Sequence, residues 1–114
     1  MTLTLLGHVV LPEHKAKGGF DHAAVHAASR HVYVAHTAND AIDVFDPANR
    51  QYLFSVPGLP GVAGALVSDE SGLIISSNRA ADTIGVFAPG PNPTVRIIDV
   101  GRGPNGLAYD PGRR

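Results

Sequence analysis

Residues 33–45 read YVAHTANDAIDVF, and residues 75–87 read ISSNRAADTIGVF. At a spacing of 42, Tyr33 meets Ile75, His36 meets Asn78, Asp40 meets Asp82, Ile42 meets Ile84, Val44 meets Val86 and Phe45 meets Phe87. Both phrases hold an apolar run, a polar close, a turn with Asp and a second apolar run. Such a unit written twice sets the architecture before any local propensity is weighed.

The likeness extends outward. Upstream, AAVHA from Ala23 matches GALVS from Gly64 at a spacing of 41, so one extra residue is expected in the turn SDESG, 68–72. Turns tolerate insertions. Downstream, YLFSV (52–56) matches the apolar core of TVRIIDV (94–100). Each unit then predicts four short strands: AAVHA, VYVAH, AIDVF and YLFSV in the first, GALVS, IISSN, TIGVF and TVRIIDV in the second. Thirteen glycines and nine prolines punctuate them, and β-branched and aromatic residues fill the gaps. The Ala-rich DHAAVHAASRH (21–31) suits a helix on propensity alone, but its counterpart VAGALVSDESG (62–72) is rich in turn formers. A third copy begins in NGLAYDPGRR, with Leu107 following Leu66 and Asp110 following Asp69 by 41. At the other end LTLLGHVVLP (3–12) is similar to the outer strand QYLFSVPGLP (51–60).

Four short strands on a period near forty make a β-propeller blade. YVAH and ISSN resemble the Tyr-Val-Thr-Asn signature of the YVTN-type β-propeller repeat of YncE-like proteins, and GRGPNGLAYDPG (101–112) resembles its inter-blade link, inner strand and Asp-Pro-Gly turn. Two positions depart: His26 stands where an Asp would begin a turn, and His36 replaces the signature Asn. The fold expected is all-β, with an outer strand of a preceding blade and its link at 1–18, complete blades at 19–61 and 62–103, and the inner strand of a truncated third blade at 104–114. Propeller rings hold about four to eight blades, so two imply a piece of a longer propeller or a protomer that completes its ring by assembly. Exposed blade faces predict self-association, an oligomer or aggregate in place of a monodisperse monomer.

Composition narrows the function classes. Apolar residues are 44% and charged residues 17%, with a formal net charge of −1 and scattered basic side chains. Neither disorder nor an electrostatic nucleic-acid surface follows. There is no cysteine, so disulfides and thiolate metal sites are excluded. The N-terminus lacks a basic n-region, and its apolar stretch is broken by Gly7 and His8, so no signal peptide or membrane span is expected. The chain reads as cytoplasmic as written, although proteins similar in repeat are often exported.

Six histidines fall within the first 36 residues: His8, His14, His22, His26, His31 and His36. His22 and His26 would share a strand face about 13 Å apart, too far to grip one zinc without a bend. Their counterparts Ala63 and Val67 supply no further ligand, so no metal is expected. GRGPNG (101–106) has the G-x-G-x-x-G spacing, but a strand-like LAYDPG follows where a dinucleotide site needs a helix. Asp21, His22 and Ser29 lie close in sequence with nothing to place a nucleophile on a base, so no catalytic residue and no cofactor is expected.

Asp40 and Asp82 recur in the turn between second and third strands, where a short carboxylate accepts backbone N–H groups. With His36 and Asn78 they are assigned to the turn, because repeats share scaffold chemistry first. The propeller resemblance puts the links at one rim of a central channel, with His22, Gly64, Pro104 and Asn105 as candidate binding residues. The expected function is a non-catalytic scaffold that binds a protein or small molecule, with no nucleic-acid or membrane partner. The competing expectation is part of a propeller enzyme, similar to lactonases or haem-dependent oxidoreductases, whose site draws on further blades.

Overall fold

A computed structural model describes residues 2–112. Met1, Arg113 and Arg114, which belong to the expected first and last segments, lie outside the described residues. Strands β1 (Ala23–His26), β2 (His31–His36), β3 (Ala41–Asp46) and β4 (Gln51–Val56) form one four-stranded antiparallel sheet in chain order. Strands β5 (Val62–Val67), β6 (Ile74–Asn78), β7 (Thr83–Phe87) and β8 (Arg96–Asp99) form a second. Each sheet is a propeller blade, and no α-helix occurs among the described residues. The Ala-rich stretch is strand β1, because its ladder with β2 outweighs the weak helical preference of a few alanines.

Side-chain alternation gives each blade two faces. The ladder pairs Tyr33 with Val44, Ala35 with Ile42, and Ile42 with Val56, so these residues share one face of blade 1. They meet Val62, Ile74 and Phe87 from the opposing face of blade 2, with Leu59 of the connecting link, in one buried core. Each fully buried aliphatic or aromatic side chain contributes about 1.5–3 kcal/mol. This shared core holds the blades together.

The blades superpose at a constant spacing of 42, which corrects the expected insertion. Ala24 pairs with Tyr33 and Leu66 with Ile75; Val25 pairs with Val32 and Val67 with Ile74. The turns match as well: Arg30 N–H donates to His26 O at 2.8 Å, and Gly72 N–H to Ser68 O at 2.7 Å. Arg30 and Gly72 both have positive φ, 61° and 73°. Apolar identity aligned Leu66 with Val25, but the ladder aligns it with Ala24. A one-residue slip exchanges the faces of a strand, so only the hydrogen bonds fix the true equivalence.

Residues 2–22 form no strand, and residues 104–110 form none, so the strands expected in 1–18 and 104–114 make no ladder among the described residues. A strand needs a hydrogen-bonded neighbour, and Leu3, Leu5, Leu6 and Val10 lie exposed without one. The first segment instead runs as an irregular strap across the free face of blade 1. No helix among the described residues is long and apolar enough to cross a membrane.

Candidate functional site

The repeated aspartates fix the rim. Asp40 and Asp82 both adopt the left-handed conformation, φ 51° and 53°, which Asp tolerates better than most residues. The Asp40 carboxylate accepts Gly61 N–H at 2.8 Å, and the Asp82 carboxylate accepts Gly103 N–H at 2.9 Å. Each partner lies 21 residues downstream, in the link to the next inner strand. Their carboxylates therefore clip the links, where the sequence suggested bonding within the turn itself.

The links frame a cleft of about 320 Å³, lined by Asp21, Thr37, Gly61, Ala63, Arg79, Ala80 and Gly103. At the repeat spacing Asp21 corresponds to Ala63, Thr37 to Arg79 and Gly61 to Gly103. The walls are thus the same backbone positions of successive blades, brought face to face. The glycines agree; the side chains Asp21/Ala63 and Thr37/Arg79 differ. Thr37 Oγ1 donates to Val62 O at 2.6 Å and seals one wall, whereas Arg79 is exposed and makes no ion pair among the described residues.

The four rim residues inferred from sequence sit beside this cleft. His22 joins the blades: its N–H donates to Ala63 O at 3.0 Å, its ring lies 3.1 Å from the same oxygen, and its Nδ1 lies 2.8 Å from Asp21 Oδ1. Gly64 N–H donates to Ser77 Oγ at 2.7 Å, and that hydroxyl donates to Asn105 O. A Cβ on Gly64 would stand 2.5 Å from Ser77 Oγ, so close approach of the third segment requires glycine here. Pro104 is half-buried next to Gly103. The sequence pointed to His22, Gly64 and Pro104, each one residue beyond the lining residues Asp21, Ala63 and Gly103, and did not point to Thr37 or Arg79. The signal for these two is disagreement between aligned positions in an exposed turn.

A second constellation lies on the outer face of blade 1. His36 closes β2 just before a short 3-10 turn, Thr37–Asn39, but its side chain makes no bond to that turn. The ring is fully buried, with Nδ1 2.6 Å from Asp43 Oδ2 and Nε2 2.6 Å from His14 Nδ1. A carboxylate accepts, so His36 Nδ1–H donates to Asp43. Ser55 Oγ–H donates to the other Asp43 oxygen at 2.7 Å, which leaves Tyr52 O–H to donate to Ser55 Oγ at 2.7 Å. A five-membered chain, Tyr52, Ser55, Asp43, His36 and His14, therefore runs from the outer strand to the strap. Phe20 stacks on His36 with ring centroids 4.1 Å apart, and Lys15 N–H donates to Asn39 Oδ1 at 2.7 Å. These contacts hold residues 13–20 over the blade, beside a cleft of about 370 Å³ walled by Val9, Leu11, Pro12, Glu13, His14 and Phe20.

Blade 2 has no such chain. Asn78 is buried and bonds Thr83 Oγ1 at 3.2 Å and Ser76 Oγ at 3.0 Å. Gly85 replaces Asp43, and a Cβ there would lie 2.7 Å from Ser76 Oγ on the paired strand and 3.3 Å from Leu59 of the link. His36 and Asp43 thus depart from the repeat together on one face, a paired signal that single-position comparison does not register. The remaining histidines stay separate: His26 Nδ1 meets Ser29 Oγ at 2.6 Å, and Ser29 has no contact with the Asp21–His22 pair. Among the described residues no group of three or more His, Cys, Asp or Glu side chains is placed to hold a metal.

No family model and no curated protein sequence matches the chain. Among solved structures, the chain is similar to Kuenenia stuttgartiensis hydrazine synthase, with a TM-score of 0.71 and 14% identity. The match covers 96% of this chain and 30% of that one, so this chain spans under a third of its length. At this identity the likeness is one of fold.

Proposed function

We propose that this chain is a non-catalytic propeller module of the YVTN repeat type, part of a larger ring, that binds a small anionic ligand or acidic peptide at its link rim. The carrying observation is the rim cleft, whose scaffold positions agree between blades while Asp21/Ala63 and Thr37/Arg79 diverge. Repeats share scaffold chemistry, so divergence at a concave exposed wall fits recognition. The exposed Arg79 guanidinium presents a fork of donors suited to carboxylate or phosphate. His22, Gly64, Pro104 and Asn105 act as the supporting frame, holding the links at the distance the cleft needs.

Titrating the isotope-labelled protein with small carboxylates and with inorganic phosphate tests this reading by amide NMR shifts. Shifts are expected to cluster at Asp21, Thr37, Gly61, Arg79 and Gly103, and Arg79→Ala should weaken them at least tenfold in half-saturating concentration. Shifts scattered elsewhere, or an unchanged response in Arg79→Ala, would overturn it.

The buried Asp43–His36 pair favours a second reading, a propeller enzyme domain of lactonase-like or haem-dependent oxidoreductase-like kind. A carboxylate orienting one imidazole against another is an arrangement found in acid–base sites. Absorbance spectra and metal analysis of the purified chain separate the readings: bound haem or a stoichiometric metal would favour the enzyme and remove the binding module.

A further inference from the structure

The rim cleft carries two opposite charges that do not neutralise each other. Asp21 lies in the stretch leading into β1 and Arg79 in the turn after β6; both are exposed and line the same cleft of about 320 Å³. No ion pair joins them, and among the described residues Asp21 has an ion-pair contact with His22 alone. His22 Nδ1 lies 2.8 Å from Asp21 Oδ1 and 3.1 Å from Ala63 O. Both oxygens accept, so Nδ1 carries a hydrogen in the neutral ring. The imidazole therefore orients the carboxylate without cancelling its charge. The backbone is fixed at both charged positions: Asp21 N–H donates to Ala35 O at 2.9 Å, and Arg79 N–H to Gly61 O at 3.3 Å. A Cβ on Gly61 would stand 2.8 Å from Ala80 N, so the link closes on the Arg79 turn only through glycine. The repeat itself requires neither charge, since Ala63 and Thr37 occupy the equivalent positions.

We propose that this cleft takes a small zwitterion, an amino acid with free ammonium and carboxylate groups, its ammonium on Asp21 and its carboxylate on Arg79. The inference rests on the reading of the rim cleft as an anion site and adds a second charge to it. A simple anion meets the Arg79 fork but sits in the repulsive field of Asp21. A zwitterion satisfies both walls with charge-assisted hydrogen bonds, so the ammonium turns that repulsion into attraction.

Titrating the full 114-residue chain with matched probes, followed by amide NMR shifts, tests it: glycine against acetate, and 4-aminobutyrate against butyrate. In at least one pair the aminated member should half-saturate the rim shifts at a concentration at least tenfold lower. Asp21→Asn, which keeps an acceptor for His22, should erase that advantage and leave the acetate and butyrate responses in place, whereas Arg79→Ala should weaken all four probes. Equal responses within both pairs, or an advantage that survives Asp21→Asn, would overturn the zwitterion while the anion-binding reading stands. A rim that answers none of the four probes would remove both.

Discussion

Asp43 accepts from His36 Nδ1–H with one oxygen and from Ser55 Oγ–H with the other, while being fully buried. Removing it leaves the buried His36 Nδ1–H and the half-buried Ser55 Oγ–H without that partner, and an unsatisfied buried group costs about 1–3 kcal/mol. Asp43→Ala should therefore lower stability by about 2–4 kcal/mol in urea unfolding. The double change His36→Asn with Asp43→Gly writes the blade 2 residues into blade 1, and it should cost less than the sum of the two single changes, because both act on one network. Strict additivity would show that the chain does not operate as a unit. At this scale the sequence was legible in part. Asp40 and Asp82 declared a structural duty by recurring, whereas His36 looked like a turn residue because position in a strand does not reveal what the facing strap brings to it.

The elements depend on where their turns bond. Asp40 combines two roles, a left-handed φ of 51° and a carboxylate clip on Gly61 N–H. Two substitutions separate them. Asp40→Gly keeps the conformation and loses the clip, for about 1 kcal/mol. Asp40→Ala loses both and should cost about 1 kcal/mol more, since a Cβ without a local hydrogen bond disfavours that conformation. Equal losses in chemical unfolding would remove the conformational part of the argument. Strand identity and order were readable from the repeat, since apolar runs bounded by turn residues leave few alternatives. The register of the inner strands was not, because Val25 and Leu66 look alike in sequence while the ladder sets Leu66 against Ala24. Hydrogen bonds decide between registers that hydrophobicity alone leaves close.

For the whole molecule, the two blades share one core in which Leu59 of the link is fully buried between them. Leu59→Ala should cost about 2–5 kcal/mol, and unfolding should stay a single transition followed equally by Tyr33 in blade 1 and Phe87 in blade 2. Two separated transitions would mean that the blades fold independently. The repeat in the sequence by itself determined the all-β class, the eight strands and their order, because periodic apolar runs and recurring turn residues are local and written in the chain. Only the tertiary structure decided that Thr37 and Arg79 face one cleft and that His14 meets His36, which in turn holds Asp43. Those are meetings between residues of different elements. Their geometry comes from how the faces pack, which no residue spacing along the chain encodes.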